Sequence, residues 1–272
     1  SDFHKMLDHA REKAPLKSPL IFLYVREHLR SPYFWSPETI AGRLPIDCPG
    51  YCINDETIYR YIYGKKQRRM KLWHHLVLHR KKRRKTEGRK VTNRGEVVHA
   101  LPIVLRPKSV MRRKQAGHWE TDNMEGRRSD ETGVSVSIER MARVVRIRKL
   151  ADHTAGTKTN ILIAQFSQES KEIQQSITLD NGPENKDGGR FREVTSMTVY
   201  KTVPYHSWEK GSVENIIGRV RRFIPKGMSV DTMTDVHCSV IEGIMNNTPR
   251  KCLGFLTPNE KLEKILSTSH IR

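Results

Sequence analysis

The sequence predicts an α/β domain set between helical segments, on three observations. Four stretches, "HWETDNMEG", "GVSVSIER", "RVVRIRKL" and "QQSITLD", have β-type composition or alternation, and "MTVYKTV" adds a fifth. Between and after them, "TKTNILIAQFSQES" and the stretch from Gly211 carry helical spacing. The chain on either side holds capped amphipathic segments rather than alternating ones.

At the N-terminal side, residues 1 to 31 read as helical, with Leu20, Leu23, Tyr24 and Leu29 able to form an apolar face. In "SPETIAGRL", Ser36 suits an N-cap and Pro37 the first helical turn. After the Pro- and Gly-rich "PIDCPGYC", Asn54 caps a second helix in which Ile58, Tyr61 and Ile62 recur at helical spacing. Two short capped helices with a turn between them predict a helix-turn-helix domain over residues 1–64, with Asp55, Thr57 and Arg60 of the second helix facing DNA. An ordinary helical hairpin is the alternative.

Residues 65–115 read as a basic DNA-binding arm. From Gly64 to Lys114 the chain carries 19 Lys and Arg against Glu87 and Glu96, so +17 of the total +20 lies there. Such a block cannot enter a core and repels itself until a polyanion neutralises it, which makes nucleic acid the natural partner. Arg80, Lys81, Lys82, Arg83 and Arg84 are its densest run.

The remaining boundaries are a core over residues 116–227 and a C-terminal helical extension over 228–272. In the core, three strands, a helix, a strand, a further strand and a helix follow one another. The helix that follows Lys210 is expected to bury Val213, Ile216, Ile217, Val220 and Ile224, and the helix in "TKTNILIAQF" to begin after Thr157 or Thr159.

Composition closes off other classes. The 272 residues are 36% hydrophobic and 29% charged, with no apolar run near the roughly 18 residues of a membrane span. No signal peptide is visible. Four cysteines are too few for a disulfide scaffold, and Cys48 and Cys52 have no second close pair to complete a zinc site. A cytoplasmic protein is the expectation.

Three acids stand at notable places. Asp122 lies inside the first strand, Asp180 ends the fourth, and Glu214 sits in the first turn of the last core helix, one step off its buried stripe. Each has an ordinary explanation: a solvent-facing side chain, a turn before Asn181 and Gly182, or a complement to the helix dipole. An RNase H-like sheet, however, brings those three elements together. Carboxylates about 4 Å apart repel by roughly 4 kcal/mol at an effective dielectric of 20, so the cluster calls for protonation or bridging cations. Hard divalent ions suit oxygen ligands and in-line phosphoryl displacement, and the basic residues nearby, Lys210 and Arg221 among them, are expected to hold the DNA backbone. Arg221 lies two turns beyond Glu214, with Gly218 between them leaving room for a close approach.

The pieces "WSPETIAGRL", "NDETIYRYIYG", "GHWETD", "ITLDNGPE", "PYHSWEKGSVENIIGRVRRFIPKG" and "NNTPRKCLGFLTP" resemble, in order and spacing, the IS30 family of bacterial insertion-sequence transposases, over residues 35 to 258 with gaps. The 33 residues between Asp180 and Glu214 match the family's interval. The resemblance implies an α/β RNase H-like catalytic core with an N-terminal helix-turn-helix domain and a C-terminal helical extension. It implies Asp122, Asp180 and Glu214 as a catalytic triad binding two Mg²⁺ or Mn²⁺ ions, with water and then a freed 3′-hydroxyl attacking a phosphodiester. His206 is expected to contact phosphate, and Trp119 to pack in the core. The implied substrate is double-stranded DNA, the element's inverted repeats and its target, held by a homodimer or higher oligomer near the bacterial nucleoid. A non-catalytic DNA-binding descendant and another RNase H-like nuclease are the alternatives.

Overall fold

The computed structural model describes residues 16, 18–65, 67–77, 101–202 and 210–269. The chain divides into two compact units, Ser1–Gly88 with Thr248–Thr257, and Arg89–Asn247 with Pro258–Arg272.

The first unit is helical. Helix α1 (Pro19–Leu29) starts where the Ser18 side chain accepts the N–H of Ile21 at 3.2 Å. It buries Ile21, Val25 and Leu29, spaced i, i+4, i+8, whereas Leu20 and Leu23 are exposed. Of the apolar face read from the sequence, Leu29 is buried and Tyr24 packs against the core, whereas Leu20 and Leu23 give way to Ile21 and Val25. Helices α2 (Pro37–Asp47) and α3 (Asp55–Tyr63) start on the expected caps, the Ser36 hydroxyl accepting from Thr39 N–H at 3.2 Å and the Asn54 amide oxygen from Glu56 N–H at 2.8 Å. The two share one core, closed by Ile40, Leu44, Ile58 and Ile62, all fully buried. Leu72, Trp73 and Leu76 extend the same core.

Residues Thr248–Thr257 complete this unit. Lys251 pairs with Glu38 at 2.9 Å, and Arg43 donates to the Phe255 carbonyl at 3.1 Å. Gly42 suits that packing, since a Cβ there would lie 2.2 Å from the tip of the Phe255 ring and make it shift.

The second unit is built on a six-stranded sheet: β1 (Leu101–Pro102), β2 (His118–Met124), β3 (Gly133–Glu139), β4 (Val145–Leu150), β5 (Ser176–Leu179) and β6 (Thr198–Lys201), in the order β1-β6-β5-β2-β3-β4. β2, β3 and β4 form an antiparallel meander, and β5 and β6 run parallel to β2. This is the RNase H-like arrangement, with one short strand added at the β6 edge. Both faces are covered, as a sheet with parallel strands requires. On one face, α6 (Gly211–Val220) and α7 (Asp235–Asn246) bury Val213, Ile216, Val220, Ile241 and Met245 against Val134, Val136 and Ile138. On the other, α4 (Ala155–Ser167), α5 (Gly188–Thr195) and α8 (Pro258–Ser269) cover a cluster with Trp119, Phe166, Ile177 and Phe191 at its centre.

Trp119 is fully buried, edge-on to Phe166 at 5.2 Å, and donates from its indole nitrogen to the Ile173 carbonyl at 2.7 Å. α4 begins earlier than expected, because Thr154 rather than Thr157 is the cap: its hydroxyl accepts the Thr157 N–H at 3.2 Å. Helix α5 was not foreseen from the sequence.

Candidate active site at the ends of β2 and β5

Strands β2 and β5 are parallel neighbours in the register His118↔Ser176 and Glu120↔Thr178. Two residues further along each chain stand Asp122 and Asp180, on the same face because side chains alternate with period two. Both are partly exposed. Helix α6 brings Glu214 to this corner in its first turn, where the side chain is exposed beside the buried Val213.

One cation joins the two aspartates. The Lys210 ammonium lies 2.9 Å from Asp180 Oδ2 and 3.3 Å from Asp122 Oδ2, and also reaches the Thr121 carbonyl at 3.4 Å. Lys210 was expected among the DNA contacts; its side chain is buried, with the charge turned onto the acids. Asp180 also accepts the Gly182 N–H at 3.1 Å and the Asn185 side-chain amide. Burial pushes the Asp180 carboxyl up, but the charge and hydrogen bond of Lys210, the Gly182 N–H and the charge of Lys158 outweigh it and hold its pKa below the ordinary value. Glu214 behaves oppositely: burial raises its pKa, and the negative charge of Asp122 adds to the rise against the pull of Lys210.

Lys158 on α4 is a second, hidden cation, 1% exposed with no hydrogen-bond partner for its ammonium. Burial lowers its pKa to about 8, opposed by the charges of Asp180 and Glu184. Arg221, at the end of α6, has its pKa lowered by burial against the charge of Glu125, and one of its terminal nitrogens has no hydrogen-bond partner. An added Cβ on Gly218 would meet open space, so the surface between Glu214 and Arg221 is free of packing.

The donor chemistry suits a hard divalent ion: three carboxylates, two already facing a cation and the third under like-charge pressure. As they stand, no three His, Cys, Asp or Glu side chains among the described residues are close enough to hold one ion together. Asp55 and Thr57 are half-exposed and Arg60 exposed on α3, in the other unit, with Arg60 3.9 Å from Glu56. Arg80, Lys81, Lys82, Arg83, Arg84 and His206 lie outside the described residues.

The sequence reading passed over Glu120, which is fully buried two residues before Asp122 and paired with Arg140. Its signal was an acid on the same strand face as Asp122. Lys158 gave no comparable signal, since a lysine in a helix usually faces water.

No protein-family model matches the chain. Among curated proteins, it is 35% identical over 239 residues to the transposase for insertion sequence element IS4351 of Bacteroides fragilis, covering 87% of this chain and 72% of that protein. It is 30% identical over 238 residues to the transposase for IS1086 of Cupriavidus metallidurans, covering 86% and 70%. The transposase InsI for IS30A of Escherichia coli K12 is 30% identical over 240 residues, covering 85% of this chain and 61% of that protein. Among solved structures, the catalytic core domain of BIV integrase aligns with a TM-score of 0.42 at 18% identity, covering 57% of this chain and 97% of that one. On its likeness to the first of these relatives over more than two thirds of that relative's length, the chain belongs to the IS30 family of insertion-sequence transposases.

Proposed function

We propose that this chain cuts and joins DNA strands at the inverted repeats of its insertion sequence by phosphoryl transfer at Asp122, Asp180 and Glu214. The observation that carries the reading is the pair of aspartates at the ends of neighbouring strands, both within 3.3 Å of one cationic group, with Glu214 near enough for Asp122 to raise its pKa. Asp122 and Asp180, with Glu214, would hold Mg²⁺ or Mn²⁺, which when bound polarises a phosphoryl oxygen and generates the nucleophile. Lys210 holds the two aspartates at a common site. Arg221 offers a half-buried guanidinium to a backbone phosphate.

The helix-turn-helix pair supplies Asp55, Thr57 and Arg60 to base edges, and the basic stretch adds sequence-independent affinity through Arg80, Lys81, Lys82, Arg83 and Arg84. His206 belongs to the same DNA-facing set. Both ends of an element must be held at once, so the acting form is a dimer or larger. No helix among the described residues is long and apolar enough to cross a membrane.

The test is strand cleavage and joining on a labelled duplex carrying the element's end, with Mg²⁺ or Mn²⁺, for this chain and Glu214→Gln. The variant should lose more than about 100-fold in rate, beyond the 10–100-fold typical of residues behind a metal ligand, while binding the duplex unchanged. Binding by both proteins with cleavage by neither would leave a DNA-binding protein without catalysis.

A further inference from the structure

Helix α6 starts without a cap of its own: Lys210, at the N-cap position, makes no side-chain hydrogen bond to the backbone of the first turn. The first N–H groups of a helix need partners from elsewhere. Here Glu120 supplies them from strand β2. Its Oε2 accepts the N–H of Ser212 at 3.0 Å and of Val213 at 3.1 Å, and its Oε1 accepts from the Arg140 guanidinium. The carboxylate is completely buried.

We infer that Glu120 is a positioning residue for the candidate active site, fixing the first turn of α6, and with it Glu214, against Asp122. The link is short on both sides. Glu120 and Asp122 are two residues apart on one face of β2, and Val213 and Glu214 are consecutive in α6. One side chain thus ties together two acids 92 residues apart in sequence, and the negative end it presents also complements the helix dipole.

The residue type follows from the partners. Every group facing the carboxylate is a donor: two backbone N–H groups and a guanidinium. Only an acceptor with two oxygens satisfies all three. A glutamine would turn its own N–H₂ toward one of them, and an aspartate would fall one methylene short. The competing account is a buried ion pair that serves the core alone; such a pair is a weak source of stability and is replaceable by apolar side chains of similar volume.

The proposal rests on the reading of Asp122, Asp180 and Glu214 as a divalent-metal site, so the experiment separates the two. Mn²⁺ binding to the whole DNA-free chain is measured by calorimetry for wild type, Asp122→Asn and Glu120→Met/Arg140→Met, with circular dichroism at the same temperature. The double replacement removes both charges and leaves none unpaired. Asp122→Asn should abolish binding, and the double variant, folded, should bind about tenfold or more weakly. A folded double variant with wild-type affinity, beside an Asp122→Asn chain that binds nothing, overturns the positioning role and leaves the metal site standing. Wild-type Mn²⁺ affinity in Asp122→Asn overturns the metal reading and the inference with it. Should the double variant not fold, hydrogen exchange in the wild type decides: the Ser212 and Val213 amides must exchange as slowly as the core of β3, and fast exchange at both overturns the proposal.

Discussion

Lys210 Nζ stands 2.9 Å from Asp180 Oδ2, and the same nitrogen is 3.3 Å from Asp122 Oδ2, so a lysine holds the place between two carboxylates where, on the proposed function, a divalent ion would have its ligands. The ammonium and such an ion therefore compete for the aspartates. Lys210→Met removes the cation in contact with both acids and leaves the more distant charge of Lys158, which should cost about 2 kcal/mol of stability in EDTA. Added Mn²⁺ should raise the melting temperature of Lys210→Met more than that of the wild type, and bind it more tightly. Thermal scans with EDTA and with Mn²⁺ decide it: a variant whose melting temperature ignores the metal would show that the lysine does not occupy a metal position.

His118 gives the fold a pH dependence of known sign. It is buried on β2, with Nδ1 2.7 Å from the Ser176 hydroxyl, and burial, then the charges of Arg140 and Arg106, lower its pKa to about 4 from the ordinary 6.5. The unfolded chain therefore binds a proton between those values that the folded chain refuses. The associated stability is complete above the unfolded pKa and is lost as pH falls from about 6.5 to 4, amounting to about 3 kcal/mol. Urea unfolding at pH 7 and pH 4.5 should show His118→Gln losing less stability than the wild type over that interval. Equal losses would place His118 outside the acid response.

Much of the candidate site was legible because it depends on order along the chain. Asp122 in a strand, Asp180 at a strand end and Glu214 in a first helical turn are local statements; the sheet makes the two aspartates neighbours, and α6 brings Glu214 within reach of the charge of Asp122. The caps Ser36 and Asn54 were legible for the same reason. Long-range polar partners were not. Glu120 finds Ser212 and Val213 across 92 and 93 residues, and nothing in the strand's sequence names that partner. Lys158 is buried by the packing of α4 under Asp180 and Glu184, although helical propensity alone would leave a lysine in water. Helix α5 was hidden by "GGRFREVT", whose two glycines read as loop; only Gly188 and Phe191 are buried, too few for an apolar stripe.

The contact between Gly42 and Phe255 tests whether residues Thr248–Thr257 belong to the helical unit in solution. A Cβ at Gly42 would approach three ring atoms of Phe255 at 2.2 to 2.4 Å, so Gly42→Ala must displace the ring or α2. Overpacking of this kind costs about 1–3 kcal/mol. In Phe255→Ala the obstacle is gone, and adding Gly42→Ala should then cost nothing or stabilise slightly, since alanine favours a helix interior. A double-mutant cycle on the chemical-unfolding transition measures the coupling. Equal costs of Gly42→Ala in the two backgrounds would mean that the segment does not pack on α2.

The charge between Gly64 and Lys114 makes a prediction about salt rather than structure. If the run from Arg80 to Lys85 lies along phosphates, each contact releases condensed counterions, and log K falls with log salt by about 0.9 per phosphate on duplex DNA. With 6 to 10 contacts in all, affinity should drop by roughly 10³ to 10⁵ between 50 and 200 mM salt. Replacing Arg80, Lys81, Lys82, Arg83, Arg84 and Lys85 by alanine should flatten the slope by up to about 5 and weaken binding to unrelated duplexes as much as to the element's own ends. Arg60→Ala, on the exposed side of α3, should instead weaken the element's ends selectively and leave the slope nearly unchanged. Fluorescence anisotropy across a salt series, on both duplexes, separates the two. A six-alanine variant with the wild-type slope would assign the electrostatic contact to another part of the chain.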